Sequence, residues 1–121
     1  MNNHILNAFL DFKATKKDLI DTYGKDLYNV EVEPVTVSTS HVVSAIDKFV
    51  TEEIDVTMLL NWVNVVWFTD LFEYSEQEAN SISSVLSILE TLDEEGVVLT
   101  ENDLANMRSS LLNNQEFIYT N

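Results

Sequence analysis

Val56-Thr57-Met58-Leu59-Leu60-Asn61-Trp62-Val63-Asn64-Val65-Val66-Trp67-Phe68-Thr69-Asp70-Leu71-Phe72 decides how this chain folds. Its apolar residues wrap most of a helical circumference, and only Thr57, Asn61 and Asn64 form a polar stripe, at i, i+4 and i+7. A helix apolar nearly all round belongs at the centre of a core. The β-branched residues would suit a strand, but the run is too long for one, and Asp55 stands ready as an N-cap. A membrane span needs about 20 apolar residues. The apolar run from Met58 to Phe72 is shorter and is broken by Asn61, Asn64 and Asp70. The reading is a central buried helix over 56–72, with Trp62, Phe68 and Phe72 in the core.

Helical signals flank this stretch on both sides. Before it, Val42, Val43, Ala45, Ile46, Phe49 and Val50 mark a helix over about 40–52, behind the cap candidates Ser38-Thr39-Ser40. His41 is expected to sit exposed at its N-terminus. After it, Ser75 with Glu78 has capping-box spacing and opens a helix over about 76–94, with Ala79, Ile82, Val85, Leu86, Leu89 and Leu92 inward. Gly96 ends it. Thr100 with Asp103 opens a last helix over about 101–113, and the tail from Asn113 is expected to fray at its end.

Residues 3–24 read as one helix or two. Ile5, Phe9 and Phe12 share a face, Thr15 with Asp18 fits a cap, and Gly24 fits a stop. Residues 28–37 alternate apolar and polar, which is strand periodicity, but Pro34 forbids a central strand position. No second strand offers itself as a partner, so this stretch reads as an extended connector. The predicted fold is all-α: a single compact bundle of five or six helices with one extended connector at about 28–37, forming one domain over 1–121.

Charge restricts the partners. The 121 residues hold 21 Asp+Glu against 6 Lys+Arg, a formal net charge of −15, under a 45% hydrophobic composition too apolar for an acidic disordered chain. The charge is localised. Residues 1–27 hold Lys13, Lys16, Lys17 and Lys25 against Asp11, Asp18, Asp21 and Asp26, and are neutral. The other 94 residues hold Lys48 and Arg108 against 17 acids and carry the whole −15. Such a surface repels phosphate backbones and anionic membranes, so neither nucleic acid nor membrane is an expected partner. A basic protein is the favoured one.

The acids cluster at 52–55, 70–78 and 93–103. Asp55, Glu76, Glu78, Glu101 and Asp103 fall at predicted helix starts, where the macrodipole favours anions. Asp93, Glu94 and Glu95 fall at a predicted helix end, where it disfavours them, so a role in binding is the better reason for their presence. The candidate partner-binding residues are therefore Asp70, Glu73, Glu76, Glu78, Asp93, Glu94 and Glu95. Tyr74 joins them as an amphipathic ring among acids, suited to a hot spot.

Sequence motifs give no catalysis. The absence of cysteine excludes disulfides, thiolate metal sites and a cysteine nucleophile. Gly24 and Gly96, the only glycines, do not make a phosphate-cradling loop. No histidine pair has metal-ligand spacing, and 93–96 lacks the alternating acids of a calcium loop. A Ser40–His41–Asp47 triad can be drawn, as it can in most sequences. The acyl-carrier pattern fails, because Ser75 and Ser81 lie in Tyr-Ser-Glu and Asn-Ser-Ile. No catalytic, metal or cofactor-binding residue is assigned. No basic segment followed by an apolar run opens the chain, so a cytoplasmic protein is expected.

The segment 40–113 resembles small acidic bacterial immunity proteins of toxin–immunity pairs, including those of contact-dependent growth inhibition. The likeness lies in the helix beginning Ser40-His41-Val42-Val43 and the Asp55-capped helix with Leu60-Asn61-Trp62-Val63-Asn64. It continues through the acidic turn from Asp70 to Glu78, the Leu-rich helix, and Gly96 before the Thr100 helix. The neutral N-terminal segment and 28–37 depart from that pattern. The resemblance implies a non-enzymatic, cytoplasmic inhibitor without cofactor that binds a cognate toxin, often a basic nuclease. Two other classes fit the composition: a phage-type nucleic-acid mimic directed at a DNA-binding enzyme, and a structural or regulatory helical domain whose charge serves only solubility.

Overall fold

In the computed structural model, which describes residues 4–118, six helices and one small sheet enclose a single core. The helices are α1 (His4–Leu10), α2 (Lys16–Tyr23), α3 (Thr39–Val50), α4 (Val56–Phe68), α5 (Ala79–Leu89) and α6 (Glu101–Leu112). A 3-10 turn lies at Leu27–Asn29. Strands β1 (Val35–Val37) and β2 (Phe72–Tyr74) pair in parallel, with Val35 opposite Phe72 and Val37 opposite Tyr74. The fold is the mostly helical one expected, with the sheet as an addition. The expected start of the first helix at residue 3 lies outside the described residues.

Helix α4 fills the centre as its composition requires: Leu59, Trp62, Val63, Val65 and Val66 are all buried. It ends four residues earlier than expected. Thr69 turns the chain by hydrogen-bonding the Val65 carbonyl through both its backbone N–H and its hydroxyl. That frees 72–74 to become the strand partner that 35–37 lacked in the sequence reading. Val35, Val37 and Phe72 point inward, and the Phe9 ring packs on Phe72 at 6.0 Å between centroids. Phe68 is not core: it is 47% exposed, beyond the last buried turn of α4.

Residues 4–23 form two helices. Phe12 breaks them with φ of +60°, and Thr15 and Asp18 form the expected capping box, each side chain bonding the other's backbone N–H. Thr100 and Asp103 do the same for α6. Helix α6 packs against α3, joined by the Arg108–Asp47 ion pair at 2.9 Å. The chain after α6 is tied down rather than loose. Ser81 Oγ donates to Asn114 Oδ1, Asn114 Nδ2 donates to the Gln77 carbonyl, and the Phe117 N–H donates to Ser84 Oγ, with Phe117 buried. The fraying expected at the last residues falls outside the described range.

Helix α5 is shorter at both ends than 76–94. Its N-terminal Ser75–Glu78 box does not form, because the Glu78 carboxylate instead accepts from the backbone N–H and hydroxyl of Thr39, at the start of α3. Near its C-terminus, the Ser87 and Thr91 hydroxyls take the Ser84 and Ile88 carbonyls, competing with continued helical bonding. Asp93, Glu94 and Glu95 consequently lie in the turn that follows, which closes at Gly96 with φ of +87°. The dipole's influence falls off beyond the last helical turn, so it does not disfavour these three acids.

His41 is half-buried, not exposed. Its Nδ1 accepts the Ser38 backbone N–H at 3.0 Å, closing the N-terminus of α3. Burial holds the imidazole below its ordinary value, against the opposing charges of Asp11 and Glu78. The folded state thus prefers neutral His41. Its contribution to stability is present above the unfolded value of about 6.5 and is lost as pH falls through the lower folded value. Urea midpoints taken from pH 7.5 down to 5 (an interval about that value) are expected to fall more for the native chain than for His41→Gln, which keeps a side-chain acceptor that does not titrate. Parallel pH profiles would refute this role.

Candidate functional site

Six of the acids line two grooves. The first lies where the extended segment before β1 passes the α4–β2 turn, and is lined by Val30, Glu31, Val32, Glu33, Pro34 and Asp70. The three carboxylate residues are exposed, with half-buried Val30 and Val32 between them. No lysine or arginine lines this groove. Glu73 is exposed on β2, where Thr36 opposite donates to its carboxylate at 3.5 Å. Outward-facing strand positions thus continue the negative surface away from Asp70.

The second groove lies at the other side of the core, where α3 ends, α4 begins and α6 begins. Glu52, Asp55 and Glu101 edge it, and Phe49, Val50, Ile54 and Leu104 form its apolar part. Asp55 caps α4, its carboxylate accepting the Met58 N–H at 2.8 Å. Glu52 has φ of +64°, immediately beyond the C-cap of α3, where glycine is usual.

The eight residues singled out from the sequence therefore divide. Asp70 lines the first groove, and Glu73 is exposed on the neighbouring strand. Glu76 is exposed in the turn before α5. Glu78 is half-buried and spent on capping α3. Tyr74 is half-buried: its hydroxyl donates to the Val66 carbonyl at 2.7 Å and its ring lies 6.1 Å from that of Trp67. Burial pushes its phenol well above the ordinary value. Asp93, Glu94 and Glu95 are exposed beyond the far end of α5, an 11-residue helix about 16 Å long at 1.5 Å per residue.

The sequence reading missed Glu31 and Glu33. The signal was the alternation Val30-Glu31-Val32-Glu33, which in extended backbone turns both acids to one side. The drawn triad does not assemble: Asp47 pairs with Arg108, and His41 Nδ1 is engaged at the α3 cap. Among the described residues, no group of three or more His, Asp or Glu is placed to hold a metal ion, and no helix is long and apolar enough to cross a membrane.

Comparison with protein-family models, with curated proteins and with solved structures finds no match to the chain.

Proposed function

We propose that this chain is an inhibitory binding protein of the immunity type, which neutralises a cognate basic toxin by covering it with an acidic surface. The observation that carries the reading is the convergence of Glu31, Glu33 and Asp70 on one groove with no cation in its lining, and with Glu73 exposed on the adjacent strand. Carboxylates so placed hold a local negative potential that steers a basic partner toward that face. Val30 and Val32 add half-buried apolar area to the same lining, and apolar contact rather than charge alone sustains affinity once encounter has occurred. Inhibition then follows from occlusion and requires no chemistry from this chain, and a cytoplasmic setting is part of the reading.

Co-expression with a toxin domain encoded by an adjacent reading frame tests the proposal. Growth is expected to be rescued, and a complex is expected on a sizing column at low salt, weakening as salt rises. Unrescued growth together with no complex at low salt would overturn it.

A further inference from the structure

We propose that the pocket between the α1–α2 connection and the first half of α4 binds a small aromatic carboxylate. The pocket holds about 140 Å³. That is close to the ~150 Å³ of an apolar cavity known to take up one benzene molecule. Phe9, Phe12, Met58 and Trp62 give it apolar and aromatic walls, and Lys16 and Asn61 complete the same lining. The Phe12 and Trp62 rings lie nearly parallel, 17° apart with centroids at 5.4 Å, so one flat ring is already accommodated against the indole.

Three features of the lining residues bear on an occupant. The Trp62 indole N–H is buried and has no hydrogen-bond acceptor. Buried donors are otherwise nearly always paired, and each exception asks for an explanation. Phe12 occupies the left-handed region, which a bulky side chain avoids, and in doing so places its ring on Trp62. Met58 is 46% exposed beside the pocket, apolar surface that an occupant would cover.

Charge selects the class of occupant. The lining contains Lys16 and no carboxylate residue; Asp18 and Asp55, whose carboxylates accept the Thr15 and Met58 N–H groups, lie outside it. It also belongs largely to the neutral first 27 residues of a chain that carries −15 elsewhere. An anion repelled by the rest of the surface meets a cation here. A single ring matches the apolar volume, and a carboxylate on that ring matches Lys16. None of these residues lines either acidic groove, so the inference stands apart from the proposed inhibitory function.

The test is titration of benzoate into the ¹⁵N-labelled full chain, read at the Trp62 indole N–H resonance, which a Trp67→Phe variant assigns. A saturable shift with Kd of about 1 mM is expected for a ligand of this size. Neutral benzyl alcohol is expected to bind about threefold to fivefold more weakly, and Lys16→Ala to weaken benzoate by the same factor, as an exposed ion pair allows. Ala14→Leu, which fills the pocket from its wall, is expected to abolish the saturable shift. No saturable shift at about ten times that Kd, or an unchanged shift in Ala14→Leu, would overturn the site. Equal binding of benzyl alcohol and benzoate, or full benzoate affinity in Lys16→Ala, would overturn the carboxylate.

Discussion

Trp62→Ala is expected to lower the unfolding free energy by about 3–5 kcal/mol, the range for truncating a large buried aromatic. Trp62 is 1% exposed at the middle of α4, and its ring lies against Phe12 across the α1–α2 connection. A domain of this size is held by about 5–15 kcal/mol, so urea denaturation should show at least about a fifth of the margin gone. Trp62→Phe should behave differently. It removes ring volume, which costs, but it also removes a buried N–H with no acceptor, whose desolvation costs about 1–3 kcal/mol in the native chain. The two effects oppose, and a net loss below about 1.5 kcal/mol is expected, the range of tolerated apolar swaps. A Phe12→Ala, Trp62→Ala double-mutant cycle should return a coupling of about 0.5–1.5 kcal/mol for the stacked pair. A Trp62→Phe loss as large as that of Trp62→Ala would mean that the indole N–H is satisfied in solution.

How much of this was legible in the sequence depends on the reach of each interaction. The Thr15–Asp18 and Thr100–Asp103 boxes span three residues and formed as expected, because nothing distant competes for those side chains. Ser75–Glu78 has the same spacing and failed, because Glu78 finds Thr39, 39 residues earlier in the chain. The helical core was legible from the 3.6-residue periodicity of α3, α4, α5 and α6. The sheet was not. Each strand is three residues long, the partners are 37 residues apart, and apolar Leu71 and Phe72 extend the apolar pattern of α4 in sequence although the helix ends before Thr69. The acidic site was half legible for the same reason. Charge counting located Asp70 and Glu73, but only strand pairing brings Glu31 and Glu33 beside them, and only tertiary contact shows that Glu78 and Tyr74 have structural duties.

On the proposed inhibitory function, reversing Glu31, Glu33 and Asp70 to lysine together is expected to slow association with a basic toxin partner by about 10- to 100-fold at low ionic strength, with dissociation changed much less. All three side chains are exposed, so the triple variant is expected to remain folded, which circular dichroism checks. A second triple, Asp93, Glu94 and Glu95 to lysine, separates local from global charge. Each triple moves the formal net charge from −15 to −9, and only the first alters the groove beside β1. If the groove docks the toxin, stopped-flow association should slow substantially more in the first triple than in the second. The gap should close as salt shortens the Debye length from about 30 Å at 0.01 M to about 8 Å at 0.15 M. Equal slowing in both would reduce the acidic surface to a long-range field with no docking face. Unchanged rates in both would remove electrostatic steering, leaving the −15 to account for solubility and no more.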